Sequence, residues 1–382
     1  MIAPHPERQQ KAVSSNAVRI GADSRPTHFG KGREQIKTVL RLQRKVVLLA
    51  CIATERMSAL AHVKGIAMNL YIDSVSALNF YSTIATSLDD ETLPCYKDRI
   101  DDAACSKFRL KEFDLSNVYV GSGKLHVMVG NQSNRTPSDK IVCHVQSKQL
   151  PWGALRSLGE NVFVASPELC FYELARVLSF PKLVECGYFV CGSYHFNPNV
   201  EKKHDRAPLT TKRKLASFAD RMPDQRGKAI VKKALELVGE GSASVRETKT
   251  AMLLTFPIRL GGYGFAKPVL NHRIDFTLEE QRLFGRPFVI LDLYWPEYGF
   301  GIEYDGGESH EGEKQLSSDR RKDSELAYRG ITVFRVDKNQ LNTLSHVHAL
   351  AVKSARMMGV RVRKPTQKQW AAKQALFDCL MK

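Results

Sequence analysis

Residues 289–306 read VILDLYWPEYGFGIEYDG. A turn over Pro296, Glu297, Tyr298 and Gly299 makes this an antiparallel hairpin in which Trp295 faces Phe300 and Asp292 faces Glu303. Asp305 follows two residues along the same face, while Leu291, Leu293, Ile302 and Tyr304 alternate onto the other. Like charges set opposite each other in a sheet repel, so an apolar hairpin gains nothing in folding from holding them. A divalent cation resolves the conflict. Magnesium takes hard oxygen ligands, commonly one or two carboxylates completed by water and substrate phosphate. Asp292 and Glu303 are the expected ligands, with manganese able to stand in for magnesium.

The flanking sequence predicts an α+β arrangement around this hairpin. Ser244-Val245-Arg246-Glu247 opens a helix reaching about Phe256, Lys267 to Ile274 reads as a strand, and Gly261 to Gly264 as the loop between them. After the hairpin, Ser317 or Ser318 starts a helix that Gly330 ends, Ile331 to Val336 forms a strand, and His346 to Met358 a last helix closed by Gly359. Strand, helix, strand, helix around one hairpin implies a mixed sheet flanked by helices.

The first half is a smaller α+β unit. A strand then a helix is expected over Tyr71 to Leu88, strands over Lys124–Val129, Lys140–Val145 and Asn161–Ala165, and a helix from Ser166-Pro167-Glu168 to about Leu178. Pro181 starts another helix, after which Tyr188 to Cys191 looks strand-like. Residues 197–225 read as a basic linker and 226–238 as a helix ending at Gly239-Glu240-Gly241. The expected organisation is a basic, partly disordered N-terminal arm over 1–67, an α+β domain over 68–240, the hairpin domain over 241–358 and a basic tail over 359–382.

Charge sharpens the class of partner. The net charge is +17, and it is concentrated. Residues 1–67 carry twelve Lys and Arg against four Asp and Glu, residues 200–234 eleven against four, and residues 359–382 six against one. Basic patches flanking a near-neutral body suit a polyanion, and double-stranded DNA is the expected one. Lys202, Lys203, Lys212, Arg213 and Lys214 are the expected phosphate contacts of the middle patch, with Lys314, Arg320, Arg321 and Lys322 near the hairpin. Flanked by Asp319 and Asp323, the last three also fit an ion-paired helix face.

Eight scattered cysteines, with no apolar core in the opening MIAPHPERQQ, lead us to expect reduced thiols and a cytoplasmic protein. Cys170, Cys186, Cys191 and His195 are spaced unlike a common zinc site, and the cysteines read as core. Val46 to Ala53 is too short an apolar run to span a membrane.

The order Glu247, Asp292, Glu303-x-Asp305-Gly306 and His310 resembles the restriction-endonuclease-like fold, specifically its very-short-patch-repair branch. The run from Asp319 through Lys322, Leu326 and Gly330 to Arg335 extends the likeness, which covers about 240–358. The resemblance implies a phosphodiester hydrolase in which Asp292 and Glu303 hold magnesium at the scissile phosphate and Glu247 is the acid of the first helix. Asp305 stands where the commonest form of the fold has a water-orienting lysine. In the short-patch branch a histidine takes part, which points to His310 and less directly to His272. Asp305 and His310 complete the expected catalytic set with Asp292, Glu303 and Glu247. Ser244 and Glu247 also have the spacing of a capping box, which would explain Glu247 by helix capping alone.

Residues KLHVMVGNQSNRTPSDKIVCHV and VASPELCFYELARVLSFPKLVECGY are similar to the central region of AbiEi-type antitoxins of type IV toxin–antitoxin systems. Such proteins usually begin with a winged helix-turn-helix, which 68–120 does not show. This second resemblance implies an alternative function, a non-catalytic DNA-binding regulator that keeps the nuclease fold as a scaffold, with a toxin as a separate partner chain. Oligomeric state is left open by the sequence.

Overall fold

The structure is a computed structural model, and it describes residues 69–83, 95–96, 100, 123–135, 139–159, 162–195, 206–305 and 321–381. The expected arm over 1–67 lies outside those residues, as do His310, Lys314, Arg320, Lys202 and Lys203. The described chain is α+β, with two mixed sheets and helices against them. No helix among the described residues is long and apolar enough to cross a membrane.

The first sheet has six strands: β1 (Leu70–Ile72), β2 (Cys95–Tyr96), β3 (Leu125–Val129), β4 (Ile141–Val145), β5 (Leu155–Gly159) and β6 (Val162–Ala165), in the spatial order β2-β5-β6-β1-β3-β4. Short central β1 is buried at every position, and Tyr71 stacks on Phe163 of β6 at 5.1 Å. Strands β3 and β4 run parallel, with Leu125 opposite Ile141 and Val129 opposite Val145. Helices α1 (Ser74–Thr83) and α2 (Pro167–Leu174, capped by Ser166 Oγ) pack on this sheet.

Helix α3 spans Phe180–Val190 without a break, so the strand expected over Tyr188 to Cys191 is helix instead. A short apolar, aromatic run fits either state by pattern. Here Gly187 lets the helix pack closely, since a Cβ there would lie 2.5 Å from Val238. The expected basic linker contains helix α4 (Lys212–Arg221), whose Leu215, Phe218 and Ala219 enter the core at helical spacing beneath a charged outer face. Helix α5 (Gln225–Leu237) follows.

The second sheet holds β7 (Val269–Asp275), β8 (Phe288–Trp295), β9 (Phe300–Tyr304) and β10 (Thr332–Val336), ordered β10-β9-β8-β7. The hairpin is formed as read. Pro296–Tyr298 make a single 3-10 turn, Gly299 closes it at φ +53°, and Trp295 pairs with Phe300. That pairing continues through Leu293 opposite Ile302, where the ladder ends one step short of Asp292 and Glu303. Helix α6 (Val245–Thr255) packs against β8, and a short helix not read from the sequence, α7 (Leu278–Phe284), joins β7 to β8. Helical residues 321–328, labelled α8, precede β10, which runs parallel to β9.

The basic tail also folds. After α9 (Leu344–Met357), helix α10 (Gln367–Met381) buries Leu376, Phe377 and Leu380. Thr366 and Gln369 cap it reciprocally. It packs on the loop at Gly261, where φ is +94° and a Cβ would lie 2.3 Å from the carbonyl oxygen of Ala372. Lys373 crosses to Gly262, its Nζ donating to that carbonyl at 2.6 Å and lying 3.5 Å from the Tyr263 ring centre. One hydrophobic core runs from the six-stranded sheet through Val238 and Leu270 to Leu293, Trp295 and Phe300. A smaller cluster of Phe276, Phe284, Leu291 and Leu326 packs with the second sheet.

Candidate active site

Glu247 of α6 and Glu303 of β9 each lie close enough to Asp292 of β8 for its charge to act on them. All three are buried, Glu247 completely. Their mutual repulsion registers in their acidity. Burial, then the neighbouring Asp292 charge, raises the Glu247 carboxyl to about 7. The same two causes raise Glu303, while Lys322 and Arg335 pull it back.

Glu247 is not explained by capping alone. Ser244 Oγ does accept from the Glu247 N–H, at 3.1 Å. The Glu247 carboxylate, however, takes the N–H of Ala243 at 2.9 Å and the side-chain amide of Asn271 at 2.7 Å. Asn271 lies opposite Asp292 in the β7–β8 ladder, between the pairs Leu270–Leu293 and His272–Leu291. Its φ of +47° is left-handed, a conformation asparagine tolerates better than most residues, and its Nδ2 also donates to Gly241 O at 3.0 Å. A strand position is thus bent to aim an amide at Glu247.

Asp292 accepts the Tyr304 N–H at 2.7 Å. Glu303 accepts from Lys322 Nζ, also at 2.7 Å, and the same amine donates to the carbonyl of Ile290 at 2.6 Å. Lys322 comes from α8, so its amine reaches the hairpin from a different element. Arg335, paired with Glu303 across β10 and β9, forms a two-pronged ion pair with Asp323. One oxygen of Glu247 and one of Glu303 are buried and accept no hydrogen bond.

The other expected residues divide. Asp305 is exposed just past β9, its N–H donating to Val336 O at 2.8 Å. His272 stacks on Tyr294 at 5.1 Å. Arg321 belongs to an ion-paired helix face, donating to Phe284 O and pairing with Glu325 at 3.3 Å. Lys212, Arg213 and Lys214 form the first turn of α4, where the helix dipole disfavours cations. Cys170, Cys186 and Cys191 are buried in the core. Sequence reasoning missed Asn271 altogether and took Lys322 for a phosphate contact. Asparagine inside an apolar strand was the available signal for the first.

Among the described residues no three His, Cys, Asp or Glu side chains stand together as a ready metal cage. The donor chemistry still suits magnesium, which needs only one or two carboxylates beside water and phosphate. Asp292 and Glu303 offer two, with a spare buried oxygen on Glu303. No family model, curated protein or solved structure matches the chain. The functional reading therefore rests on the residues themselves.

Proposed function

We propose that the chain is a magnesium-dependent DNA endonuclease, built on a restriction-endonuclease-like domain of the short-patch-repair kind. The observation that carries this is the buried Asp292–Glu303 pair with Lys322 bound to one member and Glu247 beside it. Buried like charges cost stability, and a hairpin this apolar has no folding use for them. Sites that carry such a cost are commonly functional.

Each residue has work to do in hydrolysing a phosphodiester. Asp292 and Glu303 would hold the cation, which when bound would polarise the phosphoryl group and relieve charge on the leaving oxygen. Lys322, anchored between Glu303 and Ile290 O, would hold an ammonium beside the cation ligands and orient the attacking water. Glu247, with its carboxyl at about 7, is divided between proton acceptor and donor near neutral pH, as a general base requires. Asn271 holds Glu247 in place. His310 is retained as a proton relay. The cations Lys212, Arg213 and Lys214 grip backbone phosphate without reading sequence.

Supercoiled plasmid incubated with the protein and magnesium tests the reading. Nicking that disappears in Asp292→Asn supports it. DNA binding with no cleavage under magnesium or manganese would instead match the regulator of antitoxin type.

A further inference from the structure

A cavity of about 510 Å³ opens in the first half of the chain, walled by residues between Ser74 and Asp224 and sharing none with the carboxylate site. That volume is within the range of small-molecule sites. Its floor is Ser74, at the junction of β1 and α1. Ser74 has φ +47°, an uncommon conformation for serine and a form of strain that gathers at ligand clamps. Its N–H donates to Glu173 Oε2 at 3.2 Å, and its carbonyl accepts from the buried Cys170 thiol at 3.3 Å. Its hydroxyl is buried at the cavity wall and has no hydrogen-bond partner.

Behind Ser74 lies Asp73. It is 0% exposed, and neither carboxylate oxygen has a hydrogen-bond partner. It is close enough to Glu173 and Cys143, both of which line the cavity, for their charges to act on it. Burial raises Asp73 well above the usual carboxylate range, and raises Glu173 to about 8 against the pull of the Ser74 N–H and of Arg176. Arg176 is itself ion-paired with Asp224. The floor is therefore rich in acceptors and poor in donors, and unpaired buried acids are costly. The rim is the opposite. Arg135 and Lys148 line it, and neither has a carboxylate partner among the described residues.

We propose that this cavity binds a small molecule with a planar head of adjacent N–H donors, received by Glu173 and Ser74, and an anionic group, received by Arg135 and Lys148. Paired N–H donors in one plane match a carboxylate two-to-two, the geometry of guanidinium and of the guanine edge. A guanine mononucleotide and free arginine both carry that combination. The site stands independently of the nuclease reading.

Titration calorimetry on the full chain tests this with four probes: GMP, L-arginine, AMP and L-lysine. Saturable binding of GMP or of arginine is expected, and whichever binds names the source. AMP and lysine, which lack the paired donors, are expected at least tenfold weaker. Glu173→Gln is expected to weaken binding at least tenfold. Arg135→Gln, an exposed change that spares the core, is expected to weaken it several-fold. Asp292→Asn should leave it unchanged. Absence of saturable binding by both GMP and arginine at millimolar concentration overturns the proposal. So does equal binding of AMP or lysine, or binding indifferent to both the Glu173 and the Arg135 change.

Discussion

Lys322 Nζ lies 2.7 Å from Glu303 Oε2, joining a helix after the hairpin to the hairpin's second strand. Both side chains are largely buried, so the ion pair is screened little by solvent. Removing one partner of such a pair strands the other in a poor dielectric. Lys322→Met is expected to cost about 3 kcal/mol at neutral pH, read from urea unfolding. Lys322→Met with Glu303→Gln should recover most of that loss. A double variant no more stable than the single would show that the pair is not the origin of the cost.

Asn271 gives a second, purely conformational prediction. Its φ of +47° is tolerable for asparagine or glycine and poor for a β-branched residue. Asn271→Gly and Asn271→Val both lose the bonds to Glu247 and Gly241. The valine variant should be less stable by a further ~1–2 kcal/mol. Equal midpoints in urea would mean the strand relaxes to ordinary geometry, and that Glu247 is not held by strain.

The acidity of Glu247 sets a dependence on pH. Its folded carboxyl sits at about 7, above the 4.5 of the unfolded chain. Below 4.5 both states hold the proton and the group costs nothing. As pH rises to 7 the unfolded state ionises first, so stability falls, by ~3 kcal/mol from this group at most. Magnesium bound to the neighbouring carboxylates, as proposed, would favour the ionised form and offset the loss. Thermal melting should therefore show a larger magnesium-induced rise at pH 7.5 than at pH 5.5. An equal rise at both would separate the cation from these acids.

How far the chain could be read from its residues follows from where each contact is made. The hairpin was legible because turn residues, alternation and register lie within eighteen consecutive positions. Glu247 was legible as an acid at a helix start, but its carboxylate partners were not, because Asn271 reaches it only through a left-handed strand residue. Lys322 lay among charged neighbours that pair along the helix, and nothing local marks which of them turns inward. The strand expected over Tyr188 to Cys191 failed for a related reason: a short buried run has no face to betray its period. The stretch 212–221 looked loose because half its residues are charged, and 367–381 because it lies in a tail read only for its net positive charge. Each carries a few apolar residues at helical spacing that pack into the core.

Asp292 should show opposed effects on stability and function. Its charge raises both Glu247 and Glu303, so neutralising it relieves repulsion in the metal-free protein. Asp292→Asn keeps an oxygen to accept the Tyr304 N–H. It should therefore be as stable as the parent or more so, by up to ~1 kcal/mol. A variant clearly less stable would mean that the carboxylate serves the fold.

The central claim is cleavage, and conversion of supercoiled plasmid to nicked and linear forms measures it. Parent protein and Asp292→Asn are compared at equal concentration, each first shown to be folded, in magnesium and in manganese. The account predicts metal-dependent conversion by the parent, abolished by chelator and absent in the variant. No conversion by the folded parent on supercoiled, linear or single-stranded DNA with either metal, or equal conversion by parent and variant, would contradict it.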